Sequence, residues 1–225
     1  MKNNCVIQRS DSLKCQAYTQ IRSKILHQEL AFGQKLNIAD LAREFGISNS
    51  PIREALSQLE NEGLVDNVPS IGFHVVQINE EAFRRLSQAI QALLSGCYDD
   101  IVLRGNEQQL VAQLSDCLEK QKSLYDGRAD YDYACVAIAF DRSFVEQCQN
   151  PLLNGMFGNK FDLLSLCTLQ FYRNNTQFVL QTLQEHEAIC EAAKNGDHQQ
   201  VRKLLFDHYN DKSLSVFGEA QPEKK

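Results

Sequence analysis

The chain has 225 residues, a formal net charge of −6 and 43% hydrophobic residues, with 11 glycines and 4 prolines. This composition excludes collagen-like, low-complexity and wholly disordered chains, and the length suits one large domain or two small ones. The longest apolar stretch, Tyr133–Phe140, is far shorter than the ~20 residues of a membrane helix, and residues 1–12 are too polar for a secretory signal. We therefore expect a cytoplasmic protein with no membrane partner.

Charge is distributed unevenly along the chain. Residues 1–78 hold 8 Lys+Arg and 8 Asp+Glu, so that the whole excess of acidic residues lies in residues 79–225. This asymmetry favours two parts with different partners. Any nucleic-acid binding by the first part must depend on a few well-placed cations.

The cysteines are spread out, since no two of the eight are closer than ten residues. Metal and redox motifs built on cysteine pairs need closer spacing. Five lie in apolar helical patterns and are predicted to be buried, reduced thiols: Cys97, Cys117, Cys135, Cys148 and Cys190.

An apolar residue at every fourth position from Leu13 to Ile25 predicts a first helix. We expect it to continue through Leu30 and to be broken at Gly33. The next helix is predicted to begin after an N-cap at Asn37 and to stop at Gly46.

A third helix is predicted after a tight Gly-Ile-Ser turn, with Ser48 or Ser50 as its N-cap and Gly63 near its end. Short apolar runs at Leu64–Val68 and Phe73–Val76 then predict a β-hairpin. Three helices followed by a hairpin is the order of a winged helix-turn-helix. The alternative is a small helical domain that holds a glycine turn and a hairpin without binding DNA.

Every segment from Asn79 onward has helical periodicity, which predicts an all-α bundle over residues 79–217. The last two helices are predicted to form a hairpin with its turn at Asn195–Asp197. The fold class is therefore mainly α, with an N-terminal winged helix-turn-helix at 8–78, an all-helical domain at 79–218 and a disordered tail at 219–225.

The segment from Asn37 to Val65, NIADLAREFGISNSPIREALSQLENEGLV, closely resembles the DNA-binding signature of the GntR family of bacterial transcription regulators. The second part resembles the helical FCD effector domain of the FadR-type subfamily. That resemblance is carried by Asp141–Glu146 before Asn150–Leu153, and by Glu185-His186 and Asp207-His208. It implies a homodimeric regulator that binds operator DNA and senses a small molecule, such as an organic acid.

The third helix carries the main DNA-binding candidates. Asn49, Arg53 and Ser57 are spaced i, i+4, i+8, opposite the apolar positions, so they can enter a major groove. Arg53 is the principal candidate, and an ion pair with a neighbouring carboxylate is the alternative for it. The full set of predicted DNA contacts is Arg43, Ser48, Asn49, Ser50, Arg53, Ser57 and His74.

Two positions depart from the family pattern. Members typically have Arg where this chain has Asn49, and an Asn-Arg pair at the wing tip where it has Ser70-Ile71. The loss of two cations predicts an unusual operator, or weak binding by one domain that a dimer on two half-sites compensates.

For the second part, the resemblance implies a divalent metal, such as Zn, Ni, Fe or Mn, held by Asp141, His186 and His208. The usual fourth ligand, four residues after Asp141, is replaced by Val145. Independently, the two histidines lie 10 and 12 residues from Gly196 on opposite arms of the last hairpin, so they can meet. The alternative is that both are hydrogen-bonded core histidines.

The effector pocket is less well defined by the sequence. The arginine with which family members hold an acidic ligand corresponds to Ile90, and Arg173 is a substitute candidate. Cys148 is a second candidate, against the alternative that it is a packed thiol. A regulator without metal or effector control remains open, and a helical metal-dependent enzyme is disfavoured because no nucleophile-base pair or phosphate loop is found.

Overall fold

The computed structural model describes residues 12–125, 130–174 and 176–215. The chain divides into two compact units, Met1–Gln77 and Ile78–Lys225. The first holds three helices and a two-stranded hairpin, and the described residues of the second are helical or in connecting turns. The predicted fold class, a winged helix-turn-helix followed by an all-α domain, is confirmed. The tail 219–225 lies outside the described residues.

Local capping signals define two helices of the first unit. Its helices are α1 (Leu13–Leu26), α2 (Ile38–Phe45) and α3 (Asn49–Glu62). The Asn37 side chain accepts hydrogen bonds from two backbone N–H groups at the start of α2, and Gly46 ends α2 at φ +65°. Ser48 is the N-cap of α3, and Gly63 ends it at φ +85°. These limits agree with the predicted ones because each is set by a residue with a strong positional preference.

The prediction that α1 continues through Leu30 is wrong. Gln28 adopts φ +60°, which a right-handed helix cannot include. The ring Nδ1 of His27 lies 2.8 Å from the carbonyl oxygen of Ser23, and the Gln28 amide donates to the carbonyl of Ile25 at 3.0 Å. Since these side chains satisfy carbonyl groups of the last turn, the helix ends at Leu26 without a glycine.

The hairpin consists of β1 (Val65–Val68) and β2 (Gly72–Val75), which pair antiparallel with Val65 opposite Val75. A single bridge joins Lys35 to His74. The inward residues of the hairpin and the apolar faces of α1 to α3 form the buried core of the first unit, and this core holds α3 in place. The core includes Ile21, Ile25, Ile52, Leu56, Leu59, Val65 and Val75.

The second unit is a helical bundle. Its helices are α4 (Glu80–Arg104), α5 (Glu107–Leu124), α6 (Tyr131–Gln147), α7 (Pro151–Gly158), α8 (Phe161–Asn174), α9 (Thr176–Lys194) and α10 (His198–Ser215). Helix α6 contacts α4, α5, α7 and α8, so it lies at the centre. As predicted, the turn between α9 and α10 has Gly196 at φ +70°, and Asp197 accepts a hydrogen bond from the Gln200 N–H.

The seven described cysteines are all free thiols, including the five that were predicted to be reduced. Cys97, Cys148 and Cys190 are buried, but Cys117 and Cys135 are only half-buried, so the expectation of full burial is wrong for these two. No helix in the described part of the chain has the length and apolar character to cross a membrane.

Candidate functional site

Helix α3 has one buried face and one exposed polar face. Ile52, Ala55, Leu56 and Leu59 are all 0% exposed, and they anchor the helix to the first unit. Asn49, Arg53 and Ser57 lie exposed on the other side. The 3.6-residue period of the helix produces this separation, and it leaves the predicted DNA-contacting side chains facing outward.

Arg53 makes no ion pair with any described residue, so none of the described carboxylates holds it. By contrast, Arg43 on α2 pairs with Asp40, with Nη1 and Oδ1 3.1 Å apart. An arginine without an ion pair on an exposed helix face keeps all its donors for an external acceptor.

The beginning of α3 also faces outward. Ser48 is the N-cap, but its side chain makes no capping hydrogen bond. The Ser50 hydroxyl donates to Glu54 Oε1 at 3.2 Å. Helix N-termini attract anions because their first N–H groups lack partners within the helix, so this end suits a phosphate group.

The hairpin carries the remaining candidate and an apolar tip. His74 on β2 is half-buried, with its Nδ1 3.0 Å from the carbonyl oxygen of Gly72. At the turn, Ser70 has φ +67° and Ile71 is 54% exposed. The wing tip therefore exposes the hydrocarbon side chain of Ile71, at a position where the sequence comparison indicates that the usual family cation is missing.

The second unit contains a cavity built from five helices, each contributing one face. Positions spaced by four residues line it from α8 and α9: Leu164, Thr168 and Tyr172, and Phe178, Thr182 and His186. The other lining residues are Phe83 and Ser87 from α4, Ala137, Ile138 and Asp141 from α6, and His208 and Tyr209 from α10.

Asp141, His186 and His208 come together at this cavity, and all three are buried. One potential ligand atom from each lies within 4.8 Å of the other two, and His208 Nε2 is 4.0 Å from Asp141 Oδ1. Ligand atoms about 2.0–2.2 Å from one ion lie roughly 3–4 Å apart. Each of the three side chains therefore needs to move less than about 1 Å toward the others for all three to bind one ion.

The outer nitrogen of each histidine is already engaged. His186 Nδ1 lies 2.8 Å from Oε1 of Gln121, a residue of α5 whose Nε2 donates to the Tyr133 hydroxyl. His208 Nδ1 lies 2.6 Å from Oε2 of Glu185. Since both oxygens accept, Nδ1 is the donor in each hydrogen bond, and a neutral imidazole with its proton on Nδ1 binds a metal ion through Nε2.

Aromatic rings hold the histidines in place. The His186 ring stacks on Phe140 with centroids 4.0 Å apart and planes 8° apart, and Tyr209 packs edge-on against His208. Burial raises the pKa of the Tyr209 and Tyr172 hydroxyls well above the usual value. Both phenols therefore stay protonated and can donate hydrogen bonds at neutral pH.

The donor set suits a divalent cation. Two carboxyl groups, Asp141 and Glu185, lie beside two histidines, and no Lys or Arg lines the cavity among the described residues. An ion would offset that acidic charge, which is costly to bury alone. Val145 is fully buried and has no donor atom, so the protein offers three ligands and leaves positions open for water or a ligand molecule.

The pocket candidates fare differently. Cys148 does not line the cavity, because its thiol donates to Asp100 Oδ2 at 3.3 Å within the apolar core. Ile90 is buried in the same core. Arg173 belongs to α8, but its side chain lies outside the described part of the structure.

Sequence reasoning missed the residues that orient the site. Gln121 is 65 positions from His186, and no local pattern links them. The sequence did carry a signal for the part of the cavity wall that α9 forms. Phe178, Thr182 and His186 are spaced by four residues, and residues with this spacing share one helix face.

Comparison with known proteins gives the same division of the chain. The family model "Bacterial regulatory proteins, gntR family" matches residues 13–75, and the "FCD domain" model matches residues 78–211. The HTH-type transcriptional regulator BphR of Paraburkholderia xenovorans is 32% identical over 88% of this chain and 82% of its own length. The gluconate operon transcriptional repressor of Bacillus subtilis is 24% identical over 85% of this chain and 80% of its own length.

Solved structures share the fold. One described as a GntR transcriptional regulator from Rhodococcus sp. RHA1 superposes with a TM-score of 0.70 at 16% identity, covering 92% of this chain and 99% of that one. McbR/YncC of E. coli has a TM-score of 0.58 at 17% identity, covering 94% of this chain and all of its own.

Proposed function

Because the chain belongs to the gntR family of bacterial regulatory proteins and carries an FCD domain, it is a DNA-binding transcription regulator with a small-molecule effector domain, and we propose the residues and mechanism by which it acts. The observation that carries the proposal is the exposed polar face of α3, with Arg53 unpaired among the described residues. The named relatives are regulators, which favours this role over a metal-dependent enzyme.

The first unit reads DNA with α3 in the major groove. Arg53 contacts a guanine edge or a phosphate bidentately, with Asn49 and Ser57 beside it. Ser48 and Ser50 at the helix start, together with Arg43 and His74, contact the backbone. Sequence preference then depends chiefly on Arg53, because the other members of the set are short or aimed at phosphates.

The protein acts as a homodimer on two half-sites. Asn49 and Ile71 stand where two cations are usual in this family, so one DNA-binding unit neutralises few phosphates. Two copies spaced by about one helical turn of DNA double the contacts and make binding selective for paired half-sites.

The second unit, which we assign to residues 79–218, senses its effector at the Asp141–His186–His208 cavity. A divalent ion held by these residues would act as a Lewis acid that binds an acidic head group. Gln121 and Glu185 accept hydrogen bonds from Nδ1 of the two histidines, which orients each ring with Nε2 toward the ion. Tyr172 supplies a hydroxyl donor for the bound molecule, and the Tyr209 hydroxyl contacts Asp141.

Phe83 and Ser87 connect the cavity to the part of α4 nearest the first unit in sequence. Phe83 lies in the first turn of α4, and the first unit ends at Gln77. A ligand that contacts Phe83 favours one placement of this turn, so it shifts the population of dimers whose spacing fits the half-sites.

Selection from a random duplex library, followed by affinity measurement at fixed salt, tests this function. We expect enrichment of a sequence with two related half-sites, bound by a dimer. A small acid added with Zn²⁺ should change that affinity by fivefold or more, the lower end of common allosteric couplings. Binding with no sequence enrichment contradicts the proposal.

A further inference from the structure

The cavity wall is dominated by carbon. Phe83, Ile138, Leu164 and Phe178 contribute apolar side chains from four different helices, and most of the surface facing the cavity is apolar. The polar groups are the three candidate metal ligands and the hydroxyls of Ser87, Thr168, Tyr172, Thr182 and Tyr209. Among the described lining residues there is no Lys, Arg, Asn or Gln.

Several of these hydroxyls lie near the candidate ligands. Tyr209 interacts with Asp141, and Tyr172 lies beside Thr182, one helical turn before His186. Three of the five hydroxyls therefore lie toward the candidate ligands, and Ser87 and Thr168 are the only other hydroxyl groups among the described lining residues. A molecule with a hydroxyl group on every carbon would lose more hydrogen bonds to water than these two side chains can replace.

From this arrangement, and resting on the proposed function, we propose that the cavity selects small monocarboxylates with a hydrocarbon body and rejects polyhydroxylated acids. The carboxylate lies at the Asp141–His186–His208 end, and the hydrocarbon packs against Phe83, Ile138, Leu164 and Phe178. These four residues are the specificity determinants of the site. The gluconate repressor relative takes its name from a polyhydroxylated acid, so this selectivity separates the present chain from it.

The size of the cavity limits the ligand. It encloses about 40 Å³, room for roughly three water molecules. A head group with a short chain can displace that water with little movement of the walls. Longer chains require displacement of a side chain, for which the half-buried Phe178 is best suited.

Calorimetric titration of the full chain with Zn²⁺ present tests the ligand class through a matched series. Burial of each methylene group is worth about a fourfold change in affinity. Butyrate, with two more methylenes than acetate, should bind roughly 15-fold tighter, and 3,4-dihydroxybutyrate should bind at least tenfold weaker than butyrate. Equal affinity along the series, or preference for the dihydroxy acid, overturns the proposal.

Two variants of α8 test the wall directly. Leu164→Ala should weaken butyrate binding several-fold and leave acetate binding unchanged. Leu166→Ala is the matched control, because Leu166 is equally buried on the same helix but does not line the cavity. A loss of the same size in both variants contradicts the assignment, and the ligand series on the unaltered chain decides the case if Leu164→Ala does not fold.

The outcomes separate this inference from the proposed function. If the dihydroxy acid or gluconate binds better than butyrate and changes DNA affinity, the effector role stands and the selectivity is wrong. If no acid of the series binds, with or without Zn²⁺, the effector role of the cavity fails, and the selectivity fails with it.

Discussion

Replacing His208 with Ala tests the candidate metal centre. The variant removes one of three ligands and leaves Glu185 and Asp141 without the imidazole between them. An ion present at 100 times its dissociation constant stabilises the folded chain by about 2.7 kcal/mol. For a protein of this size, 1 kcal/mol corresponds to roughly 2–4 °C in Tm, so the ion should raise Tm by about 5–10 °C.

The assay is thermal unfolding of chelator-treated protein, with and without added Zn²⁺, Ni²⁺ or Mn²⁺. The unaltered chain should show the shift and His208→Ala should show almost none. His198→Ala is the control, because His198 lies on the same helix but forms a hydrogen bond with Tyr98 and does not line the cavity. If the Tm of the unaltered chain stays the same with every added ion and with chelator, the metal centre is refuted. The two histidines are then hydrogen-bonded core residues.

Two further predictions follow from buried groups. Gln121→Leu removes the acceptor that fixes the His186 ring, so metal affinity in a competitive chelator titration should fall 10- to 100-fold, whereas loss of less than twofold would show that Gln121 does not orient it. Burial raises the pKa of the Cys97 and Cys167 thiols to about 12, so the unfolded chain releases these protons near pH 9 while the folded chain keeps them. Stability is therefore retained below pH 9 and lost as the pH rises toward 12, by about 1.4 kcal/mol per thiol and pH unit. Urea unfolding at pH 8.5 and 10 measures this, and a double Cys97→Ala, Cys167→Ala variant should show a flatter dependence; equal slopes would contradict it.

The DNA-binding unit was predictable because its signals are local. Asn37, Gly46, Ser48 and Gly63 define the limits of α2 and α3 through caps and left-handed turns that the sequence shows directly. The end of α1 was not predictable, because glutamine and histidine have no strong preference for the end of a helix. Here Gln28 adopts a left-handed conformation and the His27 ring contacts the Ser23 carbonyl.

The second unit shows the opposite limit. That His186 and His208 can meet follows from counting residues along the two arms of one helical hairpin, because both arms start from the turn at Gly196. Gln121 comes to His186 only through the packing of α5 against α9, which no spacing in the sequence encodes. For the same reason Cys148 looked available for the cavity, although its thiol binds Asp100 on α4.

The central claim is that the exposed face of α3 reads duplex DNA, and Arg53→Ala tests it most directly. Binding to the selected operator and to an unrelated duplex is measured by fluorescence anisotropy over a salt series, with Arg104→Ala as a control on α4, where Arg104 pairs with Asp100. Loss of a bidentate base contact should cost about 1–3 kcal/mol per site and reduce discrimination between the two duplexes. Operator affinity and discrimination equal to those of the unaltered chain, in a folded variant, would contradict the account.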